Sequence, residues 1–133
     1  MNRYETTREL LRGLKLNNFD SEQLAAVEAS VLRLVADGTP TVEMVADSMG
    51  MHLSKFRRRV KAITGIAAAD YITYVRMNHA LKVLGDHPRY SITQVAERCG
   101  YADAAHFSHA FRRWFDSSPL QYIEATQVVM TPL

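Results

Sequence analysis

One pattern occurs twice in this chain, fifty residues apart. Val45-Ala46 is followed four residues on by Gly50, and Val95-Ala96 four residues on by Gly100. Each glycine leads through a short polar stretch into a segment with basic side chains. In the first copy this is LSKFRRRVK, Leu53 to Lys61; in the second it is HFSHAFRRWF, His106 to Phe115. Each copy then has a turn and a tyrosine, Tyr71 or Tyr122. A short helix, a glycine-marked turn and a second helix with a basic outer face outline a helix-turn-helix. The repeat therefore restricts the chain to two such units, an arrangement suited to holding duplex DNA at two places.

Apolar spacing fills in the remaining elements. Leu24, Val27, Val31 and Leu34-Val35 recur at helical intervals behind a cap at Asp20 or Ser21, and Gly38 and Pro40 stop that helix. Thr41 caps the next, with Val42, Val45, Ala46 and Met49 inward and Gly50 left-handed at its end. Phe56, Val60 and Ile63 define the buried side of the helix that follows. A long helix is expected over 67–84, several of its apolar residues serving two cores, with a break from Gly85 to Pro88. In the second copy Ser91 and Asp103 are caps, Phe107, Ala110, Phe111 and Trp114 point inward, and Ser117-Ser118-Pro119 restarts a last helix. Residues 1–20 read as an extension or linker. A short helix there is expected to put Leu10, Leu11 and Leu14 on one side and to end at Asn17-Asn18.

No stretch alternates with period two, so the fold class is all-α, with about seven helices. The units fall at 21–66 and 85–125, the linker helix at 67–84 and a C-terminal tail at 126–133. With 133 residues and 47% hydrophobic content, the chain is large enough for a real core. It has no run of 18 apolar residues and no apolar signal core near Glu5 and Glu9, so neither membrane insertion nor secretion is expected. The single cysteine, Cys99, has no internal disulfide partner, which favours a reducing cytoplasm.

The formal net charge is only +2, but it is unevenly spread. Residues 1–47 hold five basic and eight acidic side chains, whereas residues 48–133 hold eleven and six. Lys55, Arg57, Arg58, Arg59 and Lys61 fall within seven residues, and no acid occurs from Ser48 to Ala69. A local field of that sign suits a polyanion. Spacing against Phe56, Val60 and Ile63 puts Ser54, Arg57, Arg58 and Lys61 outward. Arg57 and Arg58 carry forks that suit guanine O6/N7 or a phosphate, while Arg59 and Lys61, nearer the flanks, suit phosphates. In the second copy the outward set is Ala104, Ala105, Ser108, His109 and Arg112, with Arg113 beside it. The alanines offer only apolar contact, His109 is a donor for a base or phosphate, and Arg112 and Arg113 suit phosphate anchoring.

Other chemistry finds no support. His106 and His109 are three residues apart, but no third ligand stands at zinc-finger spacing, so no metal and no cofactor is expected. Asp70, Asp86, Asp103 and Asp116 are scattered and near helix ends, with no nucleophile beside a base, so an enzyme is not expected. A helical protein-interaction or anti-regulator module, keeping the fold without specific DNA reading, stays open as an alternative. Its support is the donor-poor Ala104-Ala105 pair.

The segments VADSMGMHLSKFRRRVKAITG, YITYVRMNHALKVL and ITQVAERCGYADAAHFSHAFRRWFDSSPLQYI resemble the DNA-binding domain of the AraC/XylS family of bacterial transcription regulators. The resemblance covers about residues 22–124. It implies seven helices, two helix-turn-helix units on a long helix, and one helix of each unit in adjacent major-groove segments. By that alignment Ser54, Arg57 and Arg58 read bases in one half, and Ala104, Ala105 and His109 in the other. Leu53 stands where proline or a basic residue is common, and Asp116 where glycine is common. The family implies double-stranded DNA as partner, RNA polymerase as a further candidate, and a monomer for this segment. Any effector or phosphorelay domain would lie outside these residues, and the stretch from Asn18 to Leu24 resembles the junction of a hybrid two-component regulator.

Overall fold

The computed structural model describes the backbone of residues 3–130. Among them every regular element is helical: α1 (Arg3–Arg12), α2 (Asn18–Leu34), a 3-10 turn (Val35–Asp37), α3 (Val42–Ser48), α4 (Leu53–Thr64), α5 (Ala68–Asp86), α6 (Ile92–Arg98), α7 (Ala104–Phe115) and α8 (Pro119–Met130). The fold is all-α, two helix-turn-helix units joined by the long α5. α8 continues into the stretch read as a tail, and residues 131–133 lie outside the described residues.

The additional helix is α1, and it is docked. Leu11 is buried in the first core, and the Arg8 guanidinium lies 4.7 Å from the centroid of the Phe115 ring. Leu10, expected to share its inward side, is 62% exposed. The helix stops at Arg12, so its spacing does not carry through to Leu14, which reaches the core from the following loop. Asn17-Asn18 does not terminate a helix. The Asn17 side chain accepts from the Asp20 N–H at 2.8 Å and caps α2, in place of the caps expected at Asp20 or Ser21. Asparagine serves as readily for a helix start as for a stop.

The first core gathers Val27 and Val31 of α2, Val45 and Ala46 of α3, Phe56 and Val60 of α4, and Tyr71, Ile72 and Val75 of α5. The second gathers Met77, Ala80, Val83 and Leu84 of α5, Val95 and Ala96 of α6, Cys99, and Phe107, Phe111 and Trp114 of α7. The buried residues of α5 divide cleanly: those up to Val75 belong to the first core and those from Met77 to the second. Sharing between cores is confined to the partly buried Tyr74. Gly85, expected to break α5, sits inside its last turn, and the helix ends at Asp86 with His87 as its cap. A lone glycine costs a helix only about 1 kcal/mol, whereas Pro88 restricts the residue before it.

The division falls at Arg76, which is only 6% exposed. Its Nε donates to the Cys99 carbonyl at 2.8 Å and its Nη2 to the Gly100 carbonyl at 3.1 Å. The guanidinium lies 3.9 Å from the centroid of the Tyr101 ring. Burial lowers its pKa from the ordinary value, against the opposing pull of Tyr101 and Cys99. The Gly100 carbonyl accepts a second bond, from Thr39 Oγ1 at 2.6 Å. Burial also pushes the Cys99 thiol up to about 12, which makes it a packed apolar group rather than a nucleophile at neutral pH.

Candidate nucleic-acid interface

α4 and α7 are set by the same backbone device. In the first unit Met49 N donates to the Val45 and Ala46 carbonyls, Gly50 N to Asp47, and Met51 N to Ala46 at 3.0 Å. In the second, Cys99 N donates to Val95 and Ala96, Gly100 N to Glu97, and Tyr101 N to Ala96 at 2.9 Å. Gly50 and Gly100 take φ of 67° and 79°, where an L side chain is disfavoured. The preceding helices are capped alike: Thr41 accepts from Met44 N, and Ser91 from Gln94 N in a reciprocal capping box.

On α4 the wall behind the outer face is Phe56, Val60 and Ile63, all buried. Ser54, Arg57, Arg58 and Lys61 are exposed, as their spacing implies. Lys55 is exposed too, a basic residue of the charge run that spacing alone did not single out as a contact. No ion pair holds Lys55, Arg57, Arg58 or Lys61 among the described residues, so their charge faces solvent. Arg59 is different. Asp20 and Gln23 of α2 accept from its guanidinium, and the Phe19 ring lies 5.2 Å away. It borders Val60 on the side facing α2, so its nearest partner is an internal carboxylate rather than an external phosphate.

On α7 the wall is Phe107, Phe111 and Trp114. Ala105, His109, Arg112 and Arg113 are exposed; Ala104 and Ser108 are half-buried. Ala110, expected inward, is half-buried at the margin of the second core. Asp103 caps the helix, accepting from the His106 N–H at 2.8 Å and meeting His106 Nδ1 at 2.9 Å. Those bonds hold the Asp103 carboxyl below its usual range. By contrast α4 begins at His52 with no side-chain cap, so its first-turn N–H groups have no side-chain acceptor there. Sequence spacing gave no sign of Arg76: a single arginine in a long helix reads as a solvated one.

A pair of helices with packed backs, matched turns and cationic outer faces defines a DNA-binding domain of the helix-turn-helix class. A family profile described as "Helix-turn-helix domain" matches residues 45–125, and the chain belongs to the AraC/XylS family of helix-turn-helix transcription regulators. As a helix-turn-helix domain of that family it is a domain that binds double-stranded DNA. The transcriptional activator RhaS of Citrobacter koseri is 39% identical over 77 residues, which are 58% of this chain and 27% of that protein. This chain therefore matches about a quarter of the length of such relatives. Among solved structures, the DNA-binding domain of the global transcriptional factor AdpA in complex with a target DNA is similar at 31% identity and TM-score 0.69. That match covers 80% of this chain and 95% of that one. The C-terminal domain of AraT, a response regulator from Geobacillus stearothermophilus, is similar at 25% identity and TM-score 0.68, covering 84% of this chain and 88% of that one. Among the described residues no helix is long and apolar enough to cross a membrane.

Proposed function

We propose that α4 and α7 enter adjacent major-groove segments on one face of the duplex, about one helical turn or 10–10.5 base pairs apart. Arg57 and Arg58 read base edges in the first segment, with Ser54 at the helix N-terminus. Lys55 and Lys61 hold phosphates beside them. In the second segment Ala104, Ala105, Ser108 and His109 face the base edges, and Arg112 and Arg113 hold phosphates. Arg59 has a secondary part, bracing α4 against α2. One monomer binds one asymmetric site. In the intact regulator, RNA polymerase is the candidate partner at a promoter, and any effector or phosphorelay domain lies outside these residues.

The observation that carries this reading is the cationic face of α4, unpaired among the described residues, backed by buried Phe56, Val60 and Ile63 and posed by the same turn as α7. The solved complex of the similar AdpA domain with its target DNA supports it. In vitro selection from a random pool, followed by hydroxyl-radical footprinting, tests it. A two-part site with protections one turn apart is expected, its first part well defined and its second short or degenerate. A single protected segment per monomer, or an obligatory two-fold site holding two chains, overturns it.

A further inference from the structure

The second unit's turn is held by the first unit. The Gly100 carbonyl is shared by Thr39 Oγ1, from the loop after α2, and Arg76 Nη2, from α5. The contact is tight enough that a Cβ on Gly100 would lie 2.5 Å from the Gly38 carbonyl oxygen and 3.1 Å from Val35 Cγ1. The corresponding turn of the first unit has none of this. Gly50 is exposed, and a Cβ there would meet nothing within 4 Å. Yet both turns make the same internal backbone bonds. Those bonds are therefore sufficient to form the turn. What surrounds Gly100 in addition must serve the relation between the units.

We propose that Thr39, Arg76 and Gly100 form a latch that fixes the orientation of α7 relative to α4, and thereby sets the spacing between half-sites that the protein accepts. The second part rests on the two-groove reading above. Moving one half-site by a base pair displaces it by about 3.4 Å and rotates it by roughly 35° around the duplex. A rigid pair of helices cannot follow that change. A pair without that latch, joined through α5 and the docked α1, follows it by bending. Arg76 is well placed to prevent such bending, because it is buried on the boundary between the two cores and its donors meet carbonyls of the turn that precedes α7. α1 is a second tie, with Leu11 in the first core and Arg8 on Phe115, and it stays intact in every variant below.

The test measures orientation without DNA and spacing with it. Spin labels at Ala62→Cys on α4 and Thr93→Cys on α6 report the distance between units, since the native Cys99 is buried. The backgrounds are the native latch, Thr39→Val, Arg76→Gln and Gly100→Ala, each checked for helix content. A narrow distance distribution is expected with the latch intact and a broader one in each variant. On duplexes with fixed half-sites and variable spacers, the native latch should lose roughly tenfold in affinity for a one-base-pair change, comparable to a mismatched base pair. The variants should flatten that profile to less than about threefold while keeping the same base preferences within each half-site. Folded variants that keep the narrow distribution and the native spacer profile overturn the proposal, as does a broad distribution with the latch intact. Thr39→Val removes one donor at near-constant shape, so it decides the matter if the other variants fail to fold. If selection yields no two-part site, the two-groove reading falls, and the label distances still decide whether the latch holds the units.

Discussion

An offset of 51 residues aligns α4 with α7: Phe56 with Phe107, Val60 with Phe111, Ile63 with Trp114, and Gly65 with Asp116. The backbone bonds at the turns match, and so does the inward spacing. Almost everything else has diverged. The first wall is largely aliphatic and the second aromatic. Arg57 and Arg58 face Ser108 and His109 across the alignment. The first helix starts without a side-chain cap, while the second starts under the carboxylate of Asp103, which places a negative charge at its N-terminus. Gly65 and Asp116 both occupy the left-handed region, at φ of 80° and 56°, so the second helix keeps the terminating geometry without the glycine. The comparison separates what a reading unit requires from what it is free to change. The turn and the spacing of three buried residues are required. The outward residues, the cap and the connection to the neighbouring unit differ.

The largest test of this division lies in the cores. Trp114 is 2% exposed and is the only tryptophan, so its emission should be blue-shifted and should report the second unit. Trp114→Ala is expected to cost about 3–5 kcal/mol, at or above the cost of Ile63→Ala, at about 2–5 kcal/mol. Urea denaturation followed by circular dichroism measures both. Emission near that of free indole would place Trp114 at the surface instead.

The turns come next. Gly50→Ala meets only the left-handed penalty, about 1–2 kcal/mol. Gly100→Ala also drives a Cβ into the Gly38 carbonyl and should cost about 1–3 kcal/mol more. Equal losses in paired thermal melts would remove the asymmetry between the units.

The outer faces follow. Arg57→Ala or Arg58→Ala should cost about 1–3 kcal/mol in binding and relax preference at one base pair, whereas Arg112→Ala and Arg113→Ala should weaken all sequences about equally. Motifs selected by the four variants distinguish these outcomes. Unchanged motifs for both Arg57→Ala and Arg58→Ala would remove the specificity assigned to the first unit.

The smallest effect is in pH. His79 has its pKa lowered below the usual 6.5, first by burial and then by Lys82 and Arg98. The unfolded chain therefore takes up the proton first as pH falls. Stability is intact above about 6.5 and declines as pH drops through that value and below it. His79→Gln should flatten this slope in melts between about pH 8 and about pH 5, the window in which histidine titrates. An unchanged slope would place its origin elsewhere.

Much of the fold is legible because two periodic signals repeat. Phe56, Val60 and Ile63 cannot alternate as a strand, and Gly50 and Gly100 stand where a left-handed residue is required. The outward faces follow from the same spacing, which is why Arg57, Arg58 and His109 lie where the pattern puts them. Contacts between elements are not encoded in that way. Arg59 sits in a basic run yet turns to Asp20, 39 positions away. Arg76 resembles a solvated arginine until the carbonyls of Cys99 and Gly100, 23 and 24 positions on, are brought to it. Leu10 and Leu11 are chemically equal, and only the docking of α1 decides which of them is buried.

The boundary at Arg76 also orders the assembly of the chain in time. The buried members of the first core all lie between Leu11 and Val75, and those of the second between Met77 and Trp114. Synthesis delivers the N-terminal part first, at about 5–20 residues per second. Once Val75 has left the ribosome, the first unit has every buried residue of its core, while α7 has still to emerge. Thr39 and Arg76 are then outside the ribosome before the carbonyl they share emerges, and the second unit has a complete first core to condense against.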